Sequence, residues 1–405
     1  MKPRFAFELE VPAAKLVFGR FVMFALLAAD ALAQIRHAPR YGSGFNVAQL
    51  PGLDALGPGR LAYGLGELVL AYAFVLIACG VATRWLVPVA AVIYNWLYFG
   101  SQLDSYQHHY LVAMLLIVAC FVPWQRRVAL DQPVRSWALR LILVELAIVY
   151  LWAAISKLDP LWLNGTALSG QLHGSLRALI DATIGLHAVA ILVPLTELAL
   201  VWVWARPAWP YLAPLGIAFH LGIVWTGLEI GLFAWLMIAF YLFIVPDRIY
   251  LVAVRGLAPV RARATELAAW LERRRWIVLA VAVAGGLACA IACHLPGSLG
   301  VAIVATVAVT GVALAAALRG KRLVALALAH LLALATWLAI DRTTPIARDY
   351  YKFWGGTARR LNDPAAAETA YRRLTELAPD DAPAHYYLGL LLLAHDDTTG
   401  LDELH

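Results

Sequence analysis

Residues 137–168 read WALRLILVELAIVYLWAAISKLDPLWLNGTAL, and they decide what kind of protein this is. From Trp137 to Ser156 the run is almost wholly apolar, and it matches the roughly 20 residues a helix needs to cross the hydrocarbon core of a bilayer. Lys157, Asp159-Pro160 and Asn164-Gly165 then end it. Runs of the same character recur at 16–34, 62–83, 85–101, 109–124, 188–205, 209–225, 230–246, 276–294, 298–318 and 322–340. Together they predict about eleven spans, several of them short or interrupted by Pro or Gly. Composition agrees: across 405 residues the set AVILMFWYC makes up 62%, charged residues 14%, and mean hydropathy is +0.73. A soluble domain carries roughly 25% charged residues. The expected fold is therefore all-α, a polytopic α-helical membrane protein whose first partner is the lipid bilayer, with a small helical tail.

The net charge of +6 superficially suggests nucleic acid. The basic residues sit between apolar runs, however, and no basic stripe or nucleic-acid module is present, so nucleic-acid binding is not expected. Arg126, Arg127, Arg135 and Arg140, then the seven Arg at 248–275, then Arg319, Lys321 and Arg322 fall on one side. The loops at 101–108, 226–229 and 295–297 carry no Lys or Arg. This positive-inside pattern puts the N-terminus in the cytoplasm and predicts a bacterial inner membrane, with the C-terminal tail periplasmic. The first span also imitates a cleavable signal peptide, with Lys2, Arg4, Lys15 and Arg20 before its apolar core and Ala31-Leu32-Ala33 after it. Asp30 and the long leading segment argue for a retained span. Cys79, Cys120, Cys289 and Cys293 lie in apolar runs without ligand spacing. Cys289 and Cys293 share a helical face beside His294, but small buried residues are the better reading and no metal is expected.

The chain divides into a transmembrane domain at 1–250, a cytoplasmic amphipathic linker helix at 251–275, extra Ala/Val/Leu-rich transmembrane helices at 276–340 and a tail at 341–405. In the tail, Trp354-Gly355 recurs as Leu388-Gly389, a period of 34, and Tyr351, Ala358, Ala367, Tyr371 and Pro379 fall where a tetratricopeptide repeat (TPR) places its packing residues. A stable array needs about three repeats. This TPR-like fragment must therefore pack on the membrane block, on another copy or on a protein partner.

Ionisable groups inside spans are functional candidates by default. Asp30, Asp104, His108, His109, Lys157, Asp159, His173, His187 and Glu229 cluster toward the outer ends of their spans, while Glu145, Glu197 and His220 lie deeper. A partly desolvated Lys157 can serve as a base, and His108 or His109 supplies a second acid–base group. Trp96, Tyr98, Tyr106, Trp152 and Trp162 would line an outward-opening interfacial cavity suited to a flat apolar molecule such as a quinone.

The segment from Val149 to Leu168 resembles the signature of the vitamin K-dependent gamma-carboxylase family and its bacterial relatives, the horizontally transferred transmembrane (HTTM) domain: Tyr150, small residues, Lys157-Leu158, then Trp162 and Gly165. His108-His109-Tyr110-Leu111 is similar to the start of that family's fourth helix. Phe219-His220-Leu221 with 227–233 is similar to its His-containing helix and following turn, and Pro194 and Glu197 suit the pattern. The resemblance covers about 15–250. It implies Lys157 as the base that deprotonates a reduced, vitamin K-like quinone, His108 or His109 as its partner, and Trp162, Trp152 and His220 around the cofactor. Two features depart from the family: Ser156 replaces the first of two lysines, and extra spans with the TPR-like tail stand where the family carries a lumenal substrate-binding domain. Two other functions stay open, a membrane scaffold that binds a partner through the tail, and a transporter or haem-carrying redox subunit with His109 and His220 as axial candidates.

Overall fold

The computed structural model describes residues 7–41, 47–50, 52, 54–103, 106–124, 129–172, 174–205, 210–226, 232–256, 258–292, 321–340, 345–395 and 397–404. The expected span at 298–318, and Cys293, His294, Asp104, His173 and Glu229, lie outside these residues. In chain order the elements are β1 (Leu9–Pro12), α1 (Ala13–Gln34), α2 (Arg60–Ala78), α3 (Thr83–Phe99), α4 (Gln107–Ala119), β2 (Pro133–Ser136), α5 (Trp137–Ser156), α6 (Pro160–Leu163), α7 (Thr166–Ser169), α8 (Gly174–Thr183), α9 (Gly185–Ala205), α10 (Ala213–Trp225) and α11 (Phe233–Leu242). Then follow α12 (Asp247–Gly256), α13 (Ala258–Arg273), α14 (Arg275–Ala292), α15 (Lys321–Ile340), α16 (Pro345–Arg360), α17 (Pro364–Leu377) and α18 (Ala382–Ala394). The protein is mainly helical, as its composition requires. Four helices among the described residues are long and apolar enough to cross a membrane: Ala13–Arg40, Arg60–Ala78, Trp137–Ser156 and Gly185–Trp204. The apolar runs at 109–124, 209–225 and 230–246 form shorter helices, α4, α10 and α11.

The helices are joined by one short sheet. β1 and β2 pair antiparallel in the register Leu9↔Ser136, Glu10↔Arg135, Val11↔Val134 and Pro12↔Pro133. Each strand leads directly into a long helix, α1 or α5, so pairing gives their backbone groups partners before the helical ladders begin. Arg135 reinforces the register with an ion pair to Glu10 at 2.5 Å. Two four-residue strands so far apart in sequence leave no periodic signal to read.

The described residues form two compact units. The first comprises Met1–Leu26 and Met114–Pro259. In it α5 packs along α9, α8 lies on α9, and α10 pairs with α11. Two basic residues of the first span are built into this unit. Lys15 meets Asp247 at 2.7 Å beneath the Tyr250 ring, and Arg20 donates to the Trp124 carbonyl at 2.8 Å.

The second unit comprises Leu27–Ala113 and Val260–His405. Here α2 packs on α3, on α15 and on the 3-10 turn Ile35–Arg40 that continues α1. The Tyr72 hydroxyl and His330 Nδ1 bond at 2.9 Å between α2 and α15. The tail finds its packing surface inside this unit: α16 lies on Ile35–Arg40. Arg36 pairs with Asp349 at 3.4 Å, the Arg40 guanidinium stands 4.9 Å from the Phe353 ring centroid, and His37 meets the same ring edge-on. Tyr350, Tyr351 and Trp354 of α16 are buried. Within the tail, Asp363 and Asp381 cap α17 and α18 ahead of Pro364 and Pro383, the arrangement expected where a proline opens a helix. Replacing the fully buried Tyr350 of α16 by Ala leaves a cavity in the packing of that helix and should destabilise the tail by about 3 kcal/mol. Limited proteolysis of the purified protein then cuts the tail at lower temperature than in the wild type; an unchanged profile would contradict the packing described.

Candidate functional site

The signature segment is a helix end, a turn and an anchor. Ser136 caps α5 by accepting the Leu139 N–H at 3.1 Å. At the other end Lys157 is the C-cap, its N–H bonded to the Ala154 carbonyl at 3.1 Å. The chain restarts at Asp159, whose carboxylate accepts the Leu161 N–H at 2.8 Å with Pro160 at the first helical position. Trp162 then donates its indole N–H to the Ala190 carbonyl at 3.0 Å. That carbonyl is available because Pro194, four residues on within α9, has no N–H to give it. Gly165 sits at φ +84°, a left-handed conformation that a residue with a Cβ adopts only with strain. Leu168, Leu172, Ile180 and Ala190 close a small core around Trp162.

This turn fixes the direction in which Lys157 points. Its ammonium folds back along α5, donating to the Ala153 carbonyl at 3.1 Å and to Glu197 Oε1 on α9 at 2.8 Å. The Trp162 ring centroid lies 5.3 Å away, within cation–π range. The Lys157 side chain is 20% exposed and that of Glu197 6%. A lysine that merely snorkels would carry its charge into the headgroups; this one carries it toward a buried carboxylate. Glu197 was visible in the sequence as a deep acid but not as the partner of Lys157. Its signal is an acidic residue in an otherwise apolar span, costly there unless paired.

Below the ion pair lies a second hydrogen-bonded group. The Tyr150 hydroxyl meets His220 Nε2 of α10 at 2.5 Å, and the Tyr241 hydroxyl of α11 donates to the Tyr150 oxygen at 2.8 Å. Trp204 packs on both tyrosines, with centroids 4.6 Å from Tyr241 and 6.2 Å from Tyr150. Gly216 makes room: a side chain there would run into the Tyr241 ring.

His108 and His109 belong to the second unit and are surrounded within it. Their ring centroids are 4.3 Å apart, and Tyr106 stacks on His108. His109 is buried, with the Tyr94 hydroxyl 2.8 Å from Nδ1 and Gln34 Nε2 3.5 Å from Nε2. Gln34 also reaches Asp30. Of the sequence-predicted residues, Lys157, Trp162 and His220 thus share one unit with Glu197, Tyr150 and Tyr241, and the two histidines share the other with Asp30, Gln34 and Tyr94. Trp152 is 64% exposed on the open face of α5. As haem ligands, His109 and His220 are already engaged, the first at both ring nitrogens and the second at Nε2 by Tyr150. Among the described residues no group of three His, Cys, Asp or Glu could hold a metal ion.

The family model of the HTTM domain matches residues 9–247. The match begins on β1 and ends at Asp247, the partner of Lys15, so it encloses the whole Lys157–Glu197 group. No curated protein and no solved structure matches the chain.

The pairing makes a stability prediction. Lys157→Met strands the buried Glu197 carboxylate and should lower stability by about 3 kcal/mol, whereas Lys157→Met combined with Glu197→Leu recovers most of the loss. Thermal unfolding in detergent measures both, and a double variant no more stable than the single one would contradict the pairing.

Proposed function

The chain belongs to the HTTM domain family, and from that premise we propose that it is a membrane enzyme with Lys157 as its proton-accepting base and a reduced, vitamin K-like quinone as cosubstrate. The observation that carries this reading is the placement of Nζ. It is turned inward from the helix end, beside a buried carboxylate and an indole face. Lys157 in its neutral form takes the proton of a weakly acidic hydroxyl: the O–H bond breaks, the N–H bond forms, and Glu197 stabilises the ammonium. Trp162 offers a flat apolar face to the ring and holds the cation once formed. The bound quinol would supply the acidic hydroxyl. His108 or His109 is a proton-handling partner on this reading, as the resemblance to the gamma-carboxylase family implies. Its gamma-carboxylase-like chemistry would use the deprotonated quinol in a later step.

The finer topology belongs to the same proposal. About eleven spans put the N-terminus in the cytoplasm, Lys157 toward the periplasmic side of a bacterial inner membrane, and the TPR-like tail in the periplasm.

A second reading, a scaffold that recruits a protein through the tail, is favoured by one observation. The tail is a helical block that repeats its packing at Trp354 and Leu388, both buried, and leaves Tyr386, Leu390 and Leu401 exposed. Turnover of a reduced naphthoquinone by the purified full chain in lipid bilayers separates the two. The enzyme reading expects Lys157→Ala to lower turnover on the order of a hundredfold or more at unchanged expression, and Tyr350→Ala, which loosens the tail, to leave it unchanged. Turnover that survives Lys157→Ala would sink the enzyme reading. Partner loss on loosening the tail, with Lys157→Ala silent, would establish the scaffold.

A further inference from the structure

We propose that the junction Arg273-Arg274-Arg275 between α13 and α14 binds the phosphate headgroup of an anionic phospholipid, with Trp270 and Trp276 seating it at the membrane surface. This site stands whether or not Lys157 is a base. α13 is a charged, solvated helix, with Arg263, Glu266, Glu272 and Arg273 all exposed. From Trp276 onward α14 carries no charged residue. One character gives way to the other within the three arginines. The boundary between water and hydrocarbon belongs at this junction, and Trp is the residue type enriched at that boundary.

Two of the three arginines are already positioned. The Arg274 guanidinium stands 4.5 Å from the ring centroid of Trp270, four residues earlier, and that of Arg275 stands 5.2 Å from the ring centroid of Trp276. Both lie within cation–π range. Stacking occupies the flat face of a guanidinium and leaves its N–H edge free. That edge is the fork that matches two oxygens of a phosphate. No carboxylate competes for it: among the described residues, neither the three arginines nor the adjacent Glu272 take part in an ion pair. The indoles are exposed, as are Leu267 before the junction and Ile277 and Val281 after it.

Three adjacent cations without counter-charges repel one another, and the repulsion grows where the surroundings lose water. Arg273 is favoured at the C-terminus of α13, whose carbonyls attract a cation, but Arg275 opens α14, where the helix dipole disfavours one. An anion at the junction relieves both. A lipid phosphate fits better than an acidic protein or a nucleic acid, because it also accounts for the exposed apolar side chains. Its acyl chains run along Ile277 and Val281 while its headgroup meets the forks. A protein or nucleic acid at the arginines would leave those side chains in water. The positive-inside rule explains a surplus of charge on one side of a membrane. It does not explain why two of these arginines rest on indoles with their forks free.

Native mass spectrometry of the full chain, released from detergent micelles doped with phosphatidylglycerol or phosphatidylcholine, tests the site. Wild type should retain phosphatidylglycerol in preference to phosphatidylcholine. An arginine near a headgroup contributes about fivefold in affinity. Arg273→Gln, Arg274→Gln and Arg275→Gln combined should therefore weaken phosphatidylglycerol retention on the order of a hundredfold. Trp270→Leu with Trp276→Leu keeps apolar side chains but removes the cation–π contacts, and should weaken retention about fivefold. Arg263→Gln removes an exposed charge from the same helix, seven residues before Trp270, and should leave retention unchanged. Arg274→Lys, which keeps the charge and loses the fork, should weaken it severalfold and serves if the triple variant fails to fold. Equal retention of the two lipids, undiminished retention in the triple variant, or an equal loss with Arg263→Gln would overturn the site. Displacement of the lipid by inorganic phosphate would overturn the lipid assignment in favour of a free anion.

Discussion

A cationic amine cannot sit alone in the apolar interior of a helix bundle, and the first unit is arranged around that constraint. Lys157 lies at the end of α5, where the default course for a lysine is outward into the headgroups. Three features turn it inward: the Asp159-Pro160 restart that ends the helix sharply, the Trp162 indole bonded to α9, and Glu197 waiting on the same helix. Pro194 contributes by exposing the carbonyl that Trp162 uses. Remove the ion pair and the signature segment has a turn but no reason for its lysine. With it, the turn places a partly exposed amine beside a buried carboxylate.

A second polar group ties helices of the same unit together. Tyr150 connects α5 to α10 and α11 through His220 and Tyr241. Polar groups at this depth are expensive unless bonded to one another. Trp204 packs against both tyrosines.

Much of this was legible in the sequence. The apolar runs gave the helical membrane character directly, since length and hydropathy are local properties; Lys157 stood out as a cation at the end of a span, and Trp162 and Gly165 joined it through the family resemblance. What remained hidden was long-range. Glu197 lies 40 residues from Lys157, and helical periodicity says which face of α9 it occupies but not which lysine it meets. The β1–β2 pair joins segments more than a hundred residues apart through backbone bonds that leave no pattern in side-chain polarity. The histidines show the converse. His109 and His220 looked similar as ring-bearing residues in spans, yet one is held by Tyr94 and Gln34 and the other by Tyr150, in separate units. For the tail the sequence showed that it needed a packing surface. The structure supplies one in Ile35–Arg40, through Arg36, His37 and Arg40.

The central claim is that Lys157 faces a ligand-accessible apolar site and takes a proton there. The most direct measurement is an electron cryomicroscopy structure of the full chain in lipid with a reduced naphthoquinone analogue bound. The account predicts the analogue's hydroxyl within about 3 Å of Lys157 Nζ, its ring against Trp162, and Glu197 still bonded to the amine. An analogue seated elsewhere, with the Lys157 side chain extended into the headgroups and Glu197 unpaired, would contradict it.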